Sequence, residues 1–182
     1  MPSLSWEEFL NKARSFPSSG IPVADLVRLV RQVQITPDLI EPHIAWSSDH
    51  YTRTPLLQLP ALEALVLCWE DGQETVIHDH GPSCAVARVI SGTTLIENFR
   101  QADAGGRPGY ARLELIETCD LHPGSVCASD VGAIHSMGNR QGERRRMITL
   151  NFYSPPLSRI RTFDRETGKI GEKLYPELLE TI

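Results

Sequence analysis

The sequence predicts a mainly β protein, a β-sandwich or barrel preceded by helices. Two observations lead to this fold class. From about residue 46 onward, short apolar segments of strand length alternate with turns rich in Gly and Pro, which is typical of an antiparallel sandwich or barrel. The first forty residues instead carry apolar side chains at helical spacing. We find no internal repeat and no low-complexity tract.

The length and composition are those of an ordinary globular domain. The 182 residues are 41% hydrophobic and 23% charged, so we expect a single domain, residues 1–182, with helices at about 1–45 packed on a β-barrel at about 46–182. The net charge of −5 argues against nucleic acid or an anionic membrane as the main partner. No apolar run reaches the ~20 residues of a membrane helix, and no secretory signal is visible, so we expect a cytoplasmic protein.

The cysteines show neither C-x-x-C pairing nor the spacing of a disulfide framework, and we interpret them as reduced thiols. They are Cys68, Cys84, Cys119 and Cys127. A basic cluster, Arg140 and residues 144–146, lies beside Asn139 and Gly142. We interpret it as a solvated turn and not as a binding patch.

The N-terminal helices are predicted from their start signals and apolar stripes. Ser5 followed by Glu8 is a capping-box pattern, and Phe9, Leu10 and Ala13 follow it on one face. Residues 16–20 break this helix. A second helix begins near Pro22, with the stripe Val23, Leu26, Val27, Val30 and Val33. The segment 36–38 starts a short third helical turn.

The predicted strands follow at short intervals. The most apolar one, residues 62–69, is expected to be buried and to end at the turn 70–72. The others are residues 75–80, 85–90, 93–100, 111–118, 125–128 and 146–153. Residues 103–109 are predicted as an exposed hairpin loop, and residues 175–179 as a last helical turn.

The stretch 72–92 carries the first chemical signal, the sequence His78-Asp79-His80. In an extended chain, residues two apart point to the same face, so both rings can reach one point. Imidazole is the commonest side-chain ligand for a transition metal. A third ligand is expected at His135, within the spacing Gly-(x)5-Asp-x-Gly-x-x-His-(x)3-Asn at residues 124–139.

Together the two stretches resemble the two motifs of the cupin superfamily, which implies a cupin-type β-barrel, a jelly-roll sandwich, holding a metal between them. The first motif of that family normally supplies a Glu as a fourth ligand, and here the position is Ala85. Three neutral imidazoles, His78, His80 and His135, remain as the expected metal ligands. Three ligands on one face leave open positions, an arrangement associated with mononuclear iron oxygen chemistry. An anionic substrate donor such as a thiolate is then favoured.

Three further stretches resemble the thiol dioxygenases, and among them cysteine dioxygenase of the bacterial type. They are Tyr-Thr-Arg at 51–53, Leu-Cys-Trp at 67–69 and Asn-Phe-Tyr-Ser-Pro-Pro at 151–156. The resemblance runs from about residue 51 to residue 164. It implies a mononuclear non-haem iron enzyme with Fe(2+) as cofactor, which oxidises L-cysteine with O2 to cysteine sulfinic acid.

The resemblance also implies roles for individual residues. The three histidines match the iron ligands. Arg53 matches the arginine that binds the substrate carboxylate, a task that suits its forked donor set, and Tyr51 is expected to help it. Tyr153 matches the active-site tyrosine, whose hydroxyl can hydrogen-bond oxygen or substrate. The bond Ser154–Pro155 is expected to be cis, as in the family.

The chain departs from the family at the surroundings of that tyrosine. A serine and a histidine extend the tyrosine into a relay in the family, and here Thr149 and Asn151 stand at those positions. Asn151 cannot titrate near neutral pH, which puts proton handling through the relay in doubt. Animal cysteine dioxygenases join a cysteine to the tyrosine by a thioether. That position is Ala85, and the neighbouring Cys84 points to the opposite face of an extended chain, so we expect no cross-link to Tyr153.

Three alternatives stay open. The same chemistry could act on 3-mercaptopropionate or another small thiol acid, although those sister enzymes typically have Gln at the position of Arg53. A non-catalytic cupin could bind a metal or small ligand as a sensor or structural module. A zinc or manganese cupin could act as an isomerase or hydrolase. The remaining histidines, His43, His50 and His122, lack the motif context and are interpreted as surface or structural residues.

Overall fold

A computed structural model of the protein describes residues 3–103, 107–140, 142 and 144–174. Its helices are α1 (Trp6–Arg14), α2 (Val23–Gln32) and α3 (Pro37–Ile40), followed by a 3-10 turn, Glu41–His43. Its strands are β1 (Thr52–Leu59), β2 (Leu62–Trp69), β3 (Ile77–His78), β4 (Cys84–Ser91), β5 (Thr94–Gln101), β6 (Leu113–Leu121), β7 (Val126–Ser129), β8 (Ile134–Gly138), β9 (Met147–Ser154), β10 (Arg159–Phe163) and β11 (Ile170–Leu174).

These strands form two antiparallel sheets. One sheet has the order β1-β2-β9-β4-β7, and the other has the order β11-β10-β3-β8-β5-β6. Along the sequence the chain passes repeatedly from one sheet to the other, as in a jelly roll. The predicted fold class, a mainly β cupin-type jelly roll with N-terminal helices, is confirmed.

The central strands of the first sheet, β2, β9 and β4, are mostly buried on both faces. The outer face of this sheet packs against the helices, where Phe9 of α1 meets Phe152 of β9 edge to face at 5.7 Å between ring centroids. Its inner face, which includes Leu65 and Tyr153, faces the second sheet. Strand β2 is therefore buried at every residue, which explains why its sequence is apolar at every position except Glu63. Arg88 of β4 donates to the carbonyls of Val30 and Val33 at the end of α2, at 3.2 and 2.8 Å.

The helix predictions are confirmed in their essentials. The Ser5 side chain accepts a hydrogen bond from the backbone of Glu8, and the Glu8 carboxylate accepts one from the backbone of Ser5, which completes the capping box. In α2 the predicted stripe is buried at Leu26 and Val30, and Leu29 joins it. The helix α3 begins at Pro37 as expected.

The strand predictions fail in two ways. The segment predicted as 75–80 is a strand only at β3, two residues long, and the strands β1, β8, β10 and β11 were not predicted. In β1, Pro55 lies beside a register shift, and a Pro lowers the strand signal. In β10, Arg residues alternate with buried ones, so its apolar content is small.

Several remaining features of the fold bear on the sequence predictions. The strands β5 and β6 pair as the predicted hairpin. The tip of the hairpin, residues 104–106, and the predicted helical turn at 175–179 lie outside the described residues.

Two arginines of the basic cluster form ion pairs: Arg140 pairs with Glu74, and Arg146 pairs with Glu70. The four thiols are unpaired. Each helix in the described part of the chain is too short or too polar to cross a membrane.

Candidate metal centre

Three histidine rings converge between the two sheets. His78 lies in β3 and His80 follows two residues later, while His135 lies in β8 directly opposite His78 in the strand ladder. One ring nitrogen from each lies within 4.8 Å of the others, and the ring centroids are 4.8 to 5.0 Å apart. The structure thus brings together the three residues that the sequence predicts as metal ligands.

Hydrogen bonds orient two of the three rings. The Nδ1 of His78 lies 2.9 Å from the carbonyl oxygen of Val76, so Nδ1–H donates and Nε2 is left with its lone pair. The Nδ1 of His135 lies 3.2 Å from the Ser129 hydroxyl. Such partners fix the tautomer of a metal-binding imidazole. The Nδ1 of His80 is buried and has no hydrogen-bond partner among the described residues.

Burial keeps all three imidazoles neutral. Loss of solvent lowers the pKa of His78 to about 4 and that of His135 to about 3. It also lowers the pKa of His80 well below its usual value, and the neighbouring rings add to that effect. A neutral imidazole is the form that binds a metal. Three neutral nitrogen donors facing one point fit a divalent transition metal.

The residue between the first two histidines fixes their position from the other side. The carboxylate of Asp79 is 1% exposed. Its Oδ1 accepts from the backbone N–H groups of Gly81 and Arg161, at 3.1 and 2.9 Å, and its Oδ2 accepts from the Arg161 guanidinium at 2.6 Å. Gly81 has a φ of 56°, and a Cβ there would lie 2.7 Å from the carbonyl oxygen of Arg159. Asp79 and Gly81 therefore hold the histidine segment against β10.

Two connected cavities open above and behind the histidines. The outer one has a volume of about 160 Å³, and the inner one of about 30 Å³. Both are lined by Tyr51, Arg53, Thr75, His78, His80 and Tyr153. Only the inner cavity reaches Ala85, His135 and Asn151.

Arg53 is placed to bind an anion in this space. Its Nε and Nη2 atoms are buried and have no hydrogen-bond partner among the described residues. Tyr51, two residues earlier on the same side of the chain, stacks on Trp69 with 4.1 Å between centroids and 17° between planes. A buried guanidinium with two free N–H groups is matched by a carboxylate, which accepts both.

Tyr153 lies beside His80, with 5.4 Å between ring centroids. Burial raises the pKa of its phenol, and the charge of Arg53 works against that shift. The Oδ1 of Asn151 is buried without a hydrogen-bond partner among the described residues. Thr149 is turned to the same face of β9, where its hydroxyl accepts from the indole N–H of Trp69 at 3.2 Å.

Ala85, at the position of the cross-linking cysteine, and the neighbouring Cys84 lie on opposite faces of β4. Ala85 is the cross-strand partner of Tyr153 and lines the inner cavity. Cys84 points to the helical side, where its sulfur lies 3.6 Å from the carbonyl oxygen of Ile21. The predicted facing of Cys84 is therefore confirmed. The bond Ser154–Pro155 is cis, as predicted.

Sequence reasoning overlooked two parts of the site. His50 was interpreted as a surface or structural residue, and the structure places it in the lining of the outer cavity with its Nε2 buried. Its only signal is its position, three residues before Arg53. Ser129, whose hydroxyl lies at Nδ1 of His135, could not be predicted, because nothing in the neighbouring sequence indicates that it contacts a histidine.

Comparison with known proteins agrees with this geometry. The sequence model of the family described as cysteine dioxygenase type I matches residues 21–166. A curated relative, cysteine dioxygenase type 1 of Danio rerio, is 26% identical over 158 residues, which cover 84% of this chain and 75% of that protein. Among solved structures, TT1209 from Thermus thermophilus aligns with a TM-score of 0.51 at 16% identity, covering 64% of this chain and 93% of the other. That likeness concerns the fold alone.

Proposed function

The chain belongs to the cysteine dioxygenase type I family, and from this premise we propose that it is a mononuclear non-haem iron thiol dioxygenase that oxidises L-cysteine with O2 to cysteine sulfinic acid. One observation carries the proposal. Three neutral imidazoles, two buried and one half-buried, line the same inner cavity as a guanidinium whose buried Nε and Nη2 have no hydrogen-bond partner among the described residues. A small thiol with a carboxylate matches both halves of this site.

We propose His78, His80 and His135 as the ligands of a ferrous ion. Their depressed pKa values, caused first by burial, keep the nitrogen lone pairs free at neutral pH. Ala85 stands where an acidic ligand would be, so the donor set contributes no charge. Bound Fe(2+) would supply the redox chemistry that allows O2 to react with a thiolate.

The remaining residues would hold and orient the substrate. Arg53 would bind the carboxylate through Nε and Nη2, with Tyr51 fixed beside it by its stacking on Trp69. The Tyr153 hydroxyl would hydrogen-bond the reacting groups, and its raised pKa keeps it protonated and able to donate. Asn151, which is hydrogen-bonded to the phenol, would position this tyrosine, and Thr149 would hold Trp69, on which Tyr51 stacks. Neither side chain would move a proton, since neither titrates near neutral pH.

The reaction balances without any further reagent. A thiolate R–S⁻ and one O2 give a sulfinate R–SO2⁻, in which both oxygen atoms are bound to sulfur. Sulfur loses four electrons, and the two oxygen atoms together gain four. A thiol that enters protonated releases one proton. The protein would contribute position and exclusion of water, because the inner cavity lies between the sheets.

We also propose a cytoplasmic location, which the four unpaired thiols support, since free thiols persist in a reducing compartment.

The decisive experiment is oxygen consumption by the iron-reconstituted protein with L-cysteine, with the product identified as sulfinate. We expect one O2 consumed per sulfinate formed. Arg53→Gln should lower kcat/KM for L-cysteine by about a hundredfold, because a charged bidentate contact is lost. Arg53→Lys is the matched control for charge, and we expect it to recover only part of the loss.

Three outcomes would contradict the proposal. Turnover of 3-mercaptopropionate but not of L-cysteine would assign a different thiol acid. No oxygen consumption with any small thiol by iron-loaded protein would favour a binding module. Zinc or manganese as the metal in protein purified without added metal, with no gain of activity from iron, would favour an isomerase or hydrolase.

A further inference from the structure

The residues that line the outer cavity contribute a third buried nitrogen without a partner, in addition to the two of Arg53. The Nε2 of His50 is buried without a hydrogen-bond partner among the described residues, as are Nε and Nη2 of Arg53. Both side chains line the same cavity of about 160 Å³. Leaving a buried polar group unpaired is unfavourable, because the group has lost its hydrogen bonds to water. Three such nitrogens, in two side chains that line one cavity, indicate that a ligand supplies the missing partners.

The charges around this cavity favour an anionic ligand. Arg53 and Lys173 contribute positive charge to its lining. Among the described lining residues, Glu74 is the one carboxylate, and its side chain is bound to the guanidinium of Arg140. The charge of Glu74 is therefore already offset, and the charge of Arg53 and Lys173 leaves the lining of the cavity net positive.

We propose that His50 determines substrate specificity by donating its Nε2–H to the substrate carboxylate, alongside Arg53. The proposal rests on the thiol dioxygenase function given above. A carboxylate has about four lone-pair sites on its two oxygens, so it accepts the forked pair from Arg53 and a third bond from His50. The donor in this contact is the N–H of the His50 ring at Nε2.

The test compares two substrates on variants of His50. L-cysteine carries the carboxylate, and cysteamine is the same thiol amine without it. His50→Leu should lower kcat/KM for L-cysteine by about tenfold, mainly through KM, and should leave cysteamine unchanged, because only the carboxylate contact is removed. His50→Gln keeps an N–H donor at a similar reach and should recover most of the loss, whereas the shorter His50→Asn should not. His122→Leu, at an exposed histidine, is the control and should affect neither substrate.

A second measurement separates this proposal from the proposed function. Cobalt(II)-loaded protein reports thiolate binding by its absorption without turnover, and gives a Kd for each thiol. Suppose that L-cysteine binds about tenfold more weakly to the cobalt-loaded His50→Leu protein, but that iron-loaded wild-type protein never oxidises L-cysteine. The proposed function is then wrong, and the role of His50 in binding the carboxylate stands. The role of His50 is overturned if the wild-type protein oxidises L-cysteine but the His50→Leu and His50→Asn variants bind L-cysteine and cysteamine with equally raised Kd values. It is also overturned if neither Kd changes. The Gln and Asn variants give the same decision if the Leu variant fails to fold.

Discussion

Asp79 and Arg161 are bound to each other across 82 positions of the chain, with the carboxylate 1% exposed and the guanidinium 48% exposed. The contact lies on the far side of the strand segment that carries two of the three histidines. It ties that segment to β10 through a hydrogen bond from the Arg161 backbone N–H, a second one from Nε of the guanidinium and an ion-pair contact from Nη2. The position of the rings therefore depends on a pair of residues that do not contact the metal centre.

Asp79→Asn should weaken metal binding. The substitution keeps an oxygen for the backbone N–H groups but places an amide against the guanidinium of Arg161. Residues that orient metal ligands typically contribute about tenfold to a hundredfold to affinity, and we expect a loss in that range for Fe(2+) or Co(2+). Chelator competition measures it.

The matched control for this variant is Glu172→Gln, which breaks the exposed pair of Glu172 with Arg159 between β10 and β11. Exposed pairs contribute little, so metal affinity should not change. Equal metal affinity of the Asp79→Asn protein and wild type, with both folded, would contradict a positioning role for Asp79.

Acid should destabilise the metal-free protein. The folded pKa values of His78 and His135 are about 4 and about 3, against 6.5 for an unperturbed histidine. Between these pKa values the unfolded chain binds more protons than the folded chain, so the free energy of unfolding rises with pH. Stability therefore decreases as the pH falls below 6.5 toward the folded pKa values. Urea unfolding with a chelator present, at pH 7 and at pH 5, measures this difference.

His135→Gln removes one of these groups and should reduce the loss of stability between pH 7 and pH 5. His122→Gln, at an exposed position, should leave the loss as in wild type. A pH dependence that is the same in all three proteins would show that the buried imidazoles do not carry it.

The protein should contain no thioether between Cys84 and Tyr153. Cys84 lies on the helical side of β4, whereas Tyr153 lies opposite Ala85. The intact mass should equal that of the unmodified chain. Ala85→Cys places a thiol beside the tyrosine ring, so the iron-loaded variant incubated with cysteine and O2 should lose the mass of two hydrogens. The same loss in wild type, abolished by Cys84→Ala, would refute this prediction.

Thr149→Val should destabilise the fold. The variant has the same shape but removes the acceptor of the Trp69 indole N–H, which is 3.2 Å away in a fully buried site. Leaving that donor unpaired should cost about 1–3 kcal/mol of unfolding free energy. Thr149→Ser keeps the hydroxyl and is the control. Urea denaturation of both variants measures the difference, and equal losses would show that the methyl group, not the hydrogen bond, is responsible.

The sequence predicts what depends on local spacing. Two histidines two residues apart share a face in any extended segment, which is why His78 and His80 converge although β3 is only two residues long. The capping box at Ser5 and the buried run of β2 are local in the same sense. The departure at Ala85 could be read directly, because its position is fixed by counting from the histidines.

Contacts that depend on closure of the two sheets could not be predicted in this way. Trp69 and Thr149 are 80 positions apart, and nothing in either neighbourhood indicates their pairing. Strand β8, which carries His135, mixes polar and apolar residues that are all buried, so neither alternation nor an apolar run marks it. His50 belongs to the cavity only because β1 and β11 bring Arg53 and Lys173 to the same space.

The shortness of β3 has a consequence for local opening of the barrel. This strand pairs with β8 through a single residue pair, His78 with His135, and with β10 through two. A metal bound to His78 and His135 would therefore join β3 and β8 by coordinate bonds, where the strands otherwise pair at one position only. Amide hydrogen exchange at residues 76–81 should therefore slow on metal binding far more than exchange in β2, which is paired along its length. Metal loading would then determine how often the cavity wall opens, as well as its chemistry.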